Sequence, residues 1–388
     1  MTSSEAGAED FVEVEVDDES IEDDEGLYEM GESSLTYLGA DLDVRGLVRR
    51  LEDRDIFVPR FDPDESDGST IAGFQRQKVW NKPRMERFIE SLLLGWPVPS
   101  IFLVLDVDQR YLVLDGQQRL TALQAFYDGL YPDGTPFVLN DVAEHLKGAT
   151  YETLKPESRR RLDNTFIQAT IIEPKGEDGP DSVYRLFGRL NSGGMILTPQ
   201  EVRVALFRGA VQDFIRKLNH DENWRRLFGA LHPRLKDHEL ILRALALRDV
   251  VETLDGDWTN TDLRRDAYRP PMSDFLNSYL QRNRELKGKP AKALELAFKA
   301  ATHALFAADG ADALRYDGRL NAAHVDATLA SLMWLSQQDA LPATTSLRRN
   351  LGTLRKSKTY GPLVTQSTSH RESVFGRLEE ARRTLGRK

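Results

Sequence analysis

Past Arg208 the chain carries no further run that reads as a β-strand. Leucine- and alanine-rich segments with apolar residues at helical spacing take over, at about 211–218, 221–229, 237–253, 271–286, 290–307, 322–337, 343–355 and 371–385. Their breaks fall at glycine, proline and asparagine-rich spots. No fixed period relates them, so they do not describe a solenoid. Residues 210–388 therefore read as an all-helical domain, and any sheet has to come from the part before it.

Charge divides the chain a second way. Residues 1–32 hold 14 of the 62 acids and no Lys or Arg, so the net charge of -10 belongs to the tail. The remainder has 48 acids against 52 bases and is mildly basic. Residues 1–40 read as an acidic, disordered tail that keeps the chain soluble. Two sharper readings stay open: competition with nucleic acid for a basic groove, and docking on a partner. The alternation in Phe11-Val-Glu-Val-Glu-Val could add a strand to a sheet edge. Cysteine is absent, which removes disulfides, thiolate nucleophiles and zinc-thiolate sites. No run of about eighteen apolar residues and no secretory leader can be read, so a cytoplasmic protein is expected.

Between the tail and the helices the pattern is mixed, and residues 41–209 read as one α+β domain. A helix over Leu42–Glu52 has Asp43 as a cap, and a strand follows at Ile56. Asn81 caps a helix from Lys82 to Leu94, stopped by Gly95. Ile101–Leu105 and Tyr111–Leu114 read as strands joined by a turn, and Gln118–Tyr127 as a helix ended by Gly129. A small strand is expected around Phe137–Leu139 and another at Phe166–Ile172. A helix from Ser182 to Leu190 breaks at Asn191-Ser-Gly-Gly194. Thr198-Pro-Gln-Glu201 then restarts one, with a capping-box spacing and proline in the first turn.

Chemistry concentrates at Asp115-Gly116-Gln117-Gln118-Arg119. A strand runs into a glycine, and the glycine opens a helix whose first N–H groups have no partner of their own. The positive end of the helix dipole points the same way. An arginine in that first turn opposes the dipole, which makes sense if an anion lies between them. A strand-turn-helix joint with polar surface residues is the plainer alternative. Phe74-Gln75-Arg76 with Trp80 is a second candidate for contact with a phosphate or base. Asn191, Ser192, Gly193 and Gly194 form a third, rich in oxygen and N–H groups and followed by Glu201 and Arg203.

These three motifs occur in the order and at the intervals of a known family. Phe74-Gln-Arg with Trp80, Leu94-Gly-Trp-Pro-Val-Pro-Ser-Ile-Phe-Leu, Asp115-Gly-Gln-Gln-Arg-Leu-Thr-Ala-Leu and Arg189-Leu-Asn-Ser-Gly-Gly-Met-Ile-Leu-Thr-Pro-Gln-Glu-Val-Arg resemble the N-terminal domain of the GmrSD-type restriction enzymes. The resemblance implies a ParB/sulfiredoxin-like fold that binds a nucleoside triphosphate and gates or senses DNA in restriction or anti-phage defence. It implies catalytic roles for Asp115, Gln117, Gln118 and Arg119 in hydrolysing GTP, ATP or CTP, with Mg2+ held at Asp115. It further implies nucleotide contacts from Gln75, Arg76, Gly116, Thr121 and Asn191–Gly194. DNA, with or without a modification, and a nuclease subunit are the implied partners, and homo-oligomerisation is left open. The competing expectations are a reader of DNA that does not hydrolyse nucleotide, and a ParB-like nickase. Many relatives end in a His-Asn-His nuclease. Here His232 and His238 are the closest histidine pair, and they lack the downstream Asn and His, so no such nuclease is expected. Dispersed bases in the helical half, Arg243 and the Lys356-Ser-Lys358 patch among them, are candidates for DNA phosphates.

Overall fold

The computed structural model describes residues 16–17, 35–57, 80–106, 109–175, 182–183, 186, 198–207 and 209–387. They fall into two compact units. One lies within Gly31–Thr198, and the other comprises Pro199–Lys388 together with a short strand from the tail, β1 (Val16–Asp17).

The first unit is built on a five-stranded mixed sheet. Its strands are β2 (Leu35–Asp43), β3 (Ile56–Phe57), β4 (Ile101–Leu105), β5 (Tyr111–Asp115) and β6 (Phe166–Pro174), in the order β2-β6-β4-β5-β3. Pairing alternates across it: β2 and β6 are antiparallel, β6 and β4 parallel, β4 and β5 antiparallel, β5 and β3 parallel. β2 therefore starts at Leu35, within the stretch expected as tail. Helix α1 (Val44–Glu52) starts where Asp43 accepts a hydrogen bond from the Gly46 N–H at 2.7 Å. Helix α2 (Lys82–Leu94) is capped by Asn81, buries Met85, Phe88, Ile89, Leu92 and Leu93, and stops at Gly95 in the left-handed conformation. Helix α3 (Gln117–Asp128) ends likewise at Gly129, and α4 (Pro156–Asp163) leads into β6.

The segment around Phe137–Leu139 is not a strand. Only an isolated bridge between Leu130 and Pro136 forms there. Phe137 instead stacks on Tyr131 at 4.1 Å and meets Phe126 edge-on. The buried Glu86 of α2 accepts the Tyr131 hydroxyl and the N–H groups of Asn140 and Asp141 at 2.6–2.7 Å. The Phe137 and Leu139 N–H groups donate to the Gly129 and Ala149 carbonyls, so with Glu86 this turn-rich segment is satisfied without a ladder. The helix expected from Ser182 to Leu190 lies mostly outside the described residues.

The second unit holds α5 (Pro199–Leu206), α6 (Ala210–Asn219), α7 (Glu222–Phe228), α8 (Lys236–Leu254), α9 (Thr261–Ala267), α10 (Met272–Arg282), α11 (Gly288–Asp309), α12 (Ala322–Gln337), α13 (Thr344–Arg355), α14 (Tyr360–Thr365) and α15 (Arg371–Leu385). The division of the chain thus falls at Thr198–Pro199, not at 209–210. Helix α5 goes with the helical unit because its polar groups pair there. Glu201 is gripped by Arg234 through both oxygens, at 3.0 and 2.9 Å, and the Arg203 Nε donates to Asn277 at 3.0 Å.

This unit is not all-helical. A hairpin, β7 (Arg315–Tyr316) and β8 (Arg319–Asn321), interrupts it, and β1 adds to β8 in parallel. The tail therefore does contribute a strand to a sheet edge, at Val16–Asp17. Two- and three-residue strands are too short to leave a period-two pattern.

Helices α8 and α12 are buried along nearly their whole length and carry charge inside the core. Asp326 of α12 receives Arg243 of α8 at 3.0 and 2.8 Å and Arg377 of α15 at 3.0 Å, all three fully buried. Arg243 is therefore no candidate for DNA. The geometry satisfies both carboxylate oxygens, which is what makes such burial tolerable. Two histidines are also buried. Burial lowers the His238 pKa from 6.5 to about 4 and that of His324, bonded to the Tyr360 hydroxyl at 2.9 Å, to about 3.

Glu239 also lies 3.7 Å from Arg243, so replacing Asp326→Asn leaves the buried Arg377 guanidinium without its counter-charge. Urea unfolding of the variant should show a loss of about 3–5 kcal/mol. For the histidines, the unfolded chain takes up protons below pH 6.5 while the folded one does not until about pH 4 and 3. Stability should be full above pH 6.5 and fall as pH drops through that window, with a shallower fall in His324→Gln.

Candidate nucleotide site at the start of helix α3

Strands β4 and β5 pair in regular register from Leu105–Tyr111 to Leu103–Val113, and the next pair is Phe102–Asp115. Leu114 is an extra residue on β5, a bulge that brings Asp115 opposite Phe102 at the strand end. Gly116 follows with φ +98°, in the region that favours glycine. A Cβ there would lie 2.5 Å from Ile101 Cγ2 and 3.2 Å from Arg119 Nη2. Glycine is thus required twice, for its φ and for the close approach of β4. The Gly116 carbonyl accepts the first bond of α3 from Leu120, and no side chain caps the helix start.

Arg119 turns back across this joint. Its Nη2 donates to Asp115 Oδ2 at 2.6 Å and to the Ser100 carbonyl at 3.0 Å. The guanidinium is largely buried, and its Nε has no hydrogen-bond partner among the described residues. The Asp115 carboxylate is half exposed, at 44%. Gln118 accepts the Trp80 N–H at 2.8 Å, tying the chain ahead of α2 to the first turn of α3. The Trp80 ring meets Phe88 edge-on and lies under the Arg84 guanidinium at 4.7 Å. Gln117 and Thr121 are half-buried on the first two turns.

One helical turn therefore gathers Asp115, Gly116, Gln117, Gln118 and Arg119. The expected contacts at Gln75, Arg76 and Asn191–Gly194 lie outside the described residues. Glu201 and Arg203, placed by the sequence next to the third motif, spend their polar groups on Arg234 and Asn277. His232 and His238 take structural places: His232 Nδ1 accepts the Arg234 N–H at 3.2 Å, and His238 is buried. Among the described residues no group of three or more His, Asp or Glu could hold a metal by itself. Sequence reasoning did not single out the Ser100 carbonyl, Ile101 or the Trp80 N–H as parts of this joint. A backbone carbonyl and a backbone N–H carry no residue signature, and Ile101 reads as ordinary strand.

Residues 63–208 match the family described as GmrSD restriction endonuclease, N-terminal domain. No curated protein matches the chain, and no solved structure does. The match begins after β2, α1 and β3, and it ends beyond α5.

Gly116→Ala should lower stability by about 1–3 kcal/mol from backbone strain alone, read by urea unfolding. In an Ile101→Ala background the same change should be less damaging, because the clashing Cγ2 is gone; equal losses in both backgrounds would contradict the contact.

Proposed function

We propose that this chain is a component of a DNA restriction or anti-phage system, and that it binds a nucleoside triphosphate at the start of α3 and hydrolyses it to gate action on DNA. The observation that carries the reading is the uncapped helix start with an arginine anchored across it. The N–H groups of the first turn and the dipole favour an anion there. Arg119 adds a guanidinium, charge-paired with Asp115, whose position is set by Asp115 and Ser100 before any ligand arrives. The restriction setting and the DNA partner rest on the family that residues 63–208 match. A ParB/sulfiredoxin-like relationship of the mixed sheet, a modified DNA substrate and a separate nuclease subunit belong to the same proposal.

The residues fit Mg2+ in one respect. Asp115 offers a half-exposed carboxylate, and a single carboxylate is enough when phosphate oxygens and waters complete an octahedral shell. Bound there, the ion would neutralise charge on the phosphates. Asp115 shares its carboxylate with Arg119, so the pair stays charge-balanced around the site. Gln118 is committed through its oxygen to Trp80 and acts as a brace. Gln117 is then the amide left to orient an attacking water. Arg76, Thr121 and Asn191–Gly194 are proposed as further contacts to the nucleotide.

Purified chain incubated with GTP, ATP and CTP, with and without DNA, tests this. Phosphate release should appear with at least one nucleotide and fall about a hundredfold or more in Asp115→Ala and Arg119→Ala. Arg119→Lys should be impaired as well, since an ammonium cannot reproduce the planar grip. Nucleotide binding without release would convert the site to a non-hydrolysing reader. Nicking of supercoiled plasmid by wild type, lost in Asp115→Ala with no phosphate release, would favour a nickase. Phosphate release equal in wild type and both variants would refute the site.

A further inference from the structure

The two edges of the five-stranded sheet are treated differently. On one side β3 contributes two residues among those described, too short to template another strand. On the other side β2 runs for nine residues in unbroken register with β6, from Leu35–Pro174 to Asp43–Phe166. Its outer edge pairs with no strand among the described residues. Among the described residues, Leu35–Ala40 lacks the charges, prolines and bulges that discourage edge pairing, and the strand's two carboxylates, Asp41 and Asp43, lie past it. Tyr37 is 81% and Leu38 64% exposed, large apolar groups left in water on adjacent, opposite-facing positions.

We infer that β2 pairs with β2 of a second copy of this chain, in antiparallel register about a two-fold axis at Gly39, joining two five-stranded sheets into one. The sequence of the strand selects this occupant. An antiparallel pair of identical strands has its axis through one residue when equal faces meet, and the midpoint of Leu35–Asp43 is Gly39. Around that axis Leu38 faces Ala40 of the other chain, Tyr37 faces Asp41, Thr36 faces Leu42 and Leu35 faces Asp43. Neither carboxylate opposes another, and apolar Leu38 lies beside apolar Ala40. At the axis a side chain would oppose its own copy, and there the strand has glycine. A Cβ at Gly39 would meet nothing within 4 Å, so substitution leaves the single chain undisturbed. This inference rests on the edge alone and does not depend on the nucleotide site.

Gly39 supplies the test. Wild-type full-length chain should sediment as a dimer at micromolar concentration. Gly39→Asp and Gly39→Lys each place like charges face to face and should sediment as monomers. Mixing the two variants should restore a dimer, because the axis then carries opposite charges. The chain has no cysteine, so Gly39→Cys gives a single thiol per chain. Facing Cα atoms of an antiparallel pair are about 4.5–5.5 Å apart, within disulfide reach. The variant should therefore cross-link under mild oxidation. Thr36→Cys should not, since its copy lies six residues along, about 20 Å away. A monomeric wild type overturns the proposal, including one whose β2 amides are protected from exchange by the chain's own residues. A dimer unaffected by Gly39→Asp, or charge variants that fail to rescue each other, overturns it as well.

Discussion

The contact between Arg119 and Asp115 holds the first unit's centre together. One guanidinium spans the end of β5, the residue before β4 and the first turn of α3. The short distance to Asp115 and the burial of the arginine give this pair more weight than an exposed ion pair, which contributes little. Beneath it Ile101 lies against Gly116, so backbone proximity and charge pairing lock the same joint. β4 in turn is the partner of both β5 and β6, and the sheet's remaining strands follow from it. A site built on such a joint is preorganised, which suits a group that must meet an incoming anion without rearranging.

The helical unit solves a different problem. Its central helices α8 and α12 are buried along nearly their whole length, yet they carry Arg243 and Asp326 inside. Burial of these groups is unfavourable taken singly and becomes acceptable only in a set with Arg377 and Glu239, two guanidinium groups against two carboxylates. The set joins α8, α12 and α15 through directional bonds, where apolar packing alone would tolerate rotation or sliding. A second set, Asp237 with Asn219 and Arg225, ties α8 to α6 and α7 in the same manner.

Local signals in the sequence were reliable because their causes are local. Asn81 and Asp43 cap the helices that follow them, Gly95 and Gly129 end theirs, and Pro199 opens α5. The Asp115–Arg119 turn was readable for the same reason, since strand, glycine and helix are adjacent in the chain. Pairings between distant residues were not readable. Arg243 looks like any surface base until Asp326, 83 residues away, is found beside it. Phe137–Leu139 has strand composition, but Glu86 from another helix claims the nearby N–H groups. The β7–β8 hairpin is too brief for any period to show.

The allegiance of α5 has a consequence for how this chain can be divided. The family match runs through Leu206 to residue 208, whereas the fold breaks before Pro199. Unit of descent and unit of folding are therefore out of step by one helix. A fragment cut where sequence similarity ends would carry Glu201 and Arg203 away from Arg234 and Asn277, exposing a helix that was shaped to be interior. The motif at the end of the matched region acts as a graft, inherited with one unit and rooted in the other. Any exchange of helical halves between relatives would have to preserve the acceptors that receive it.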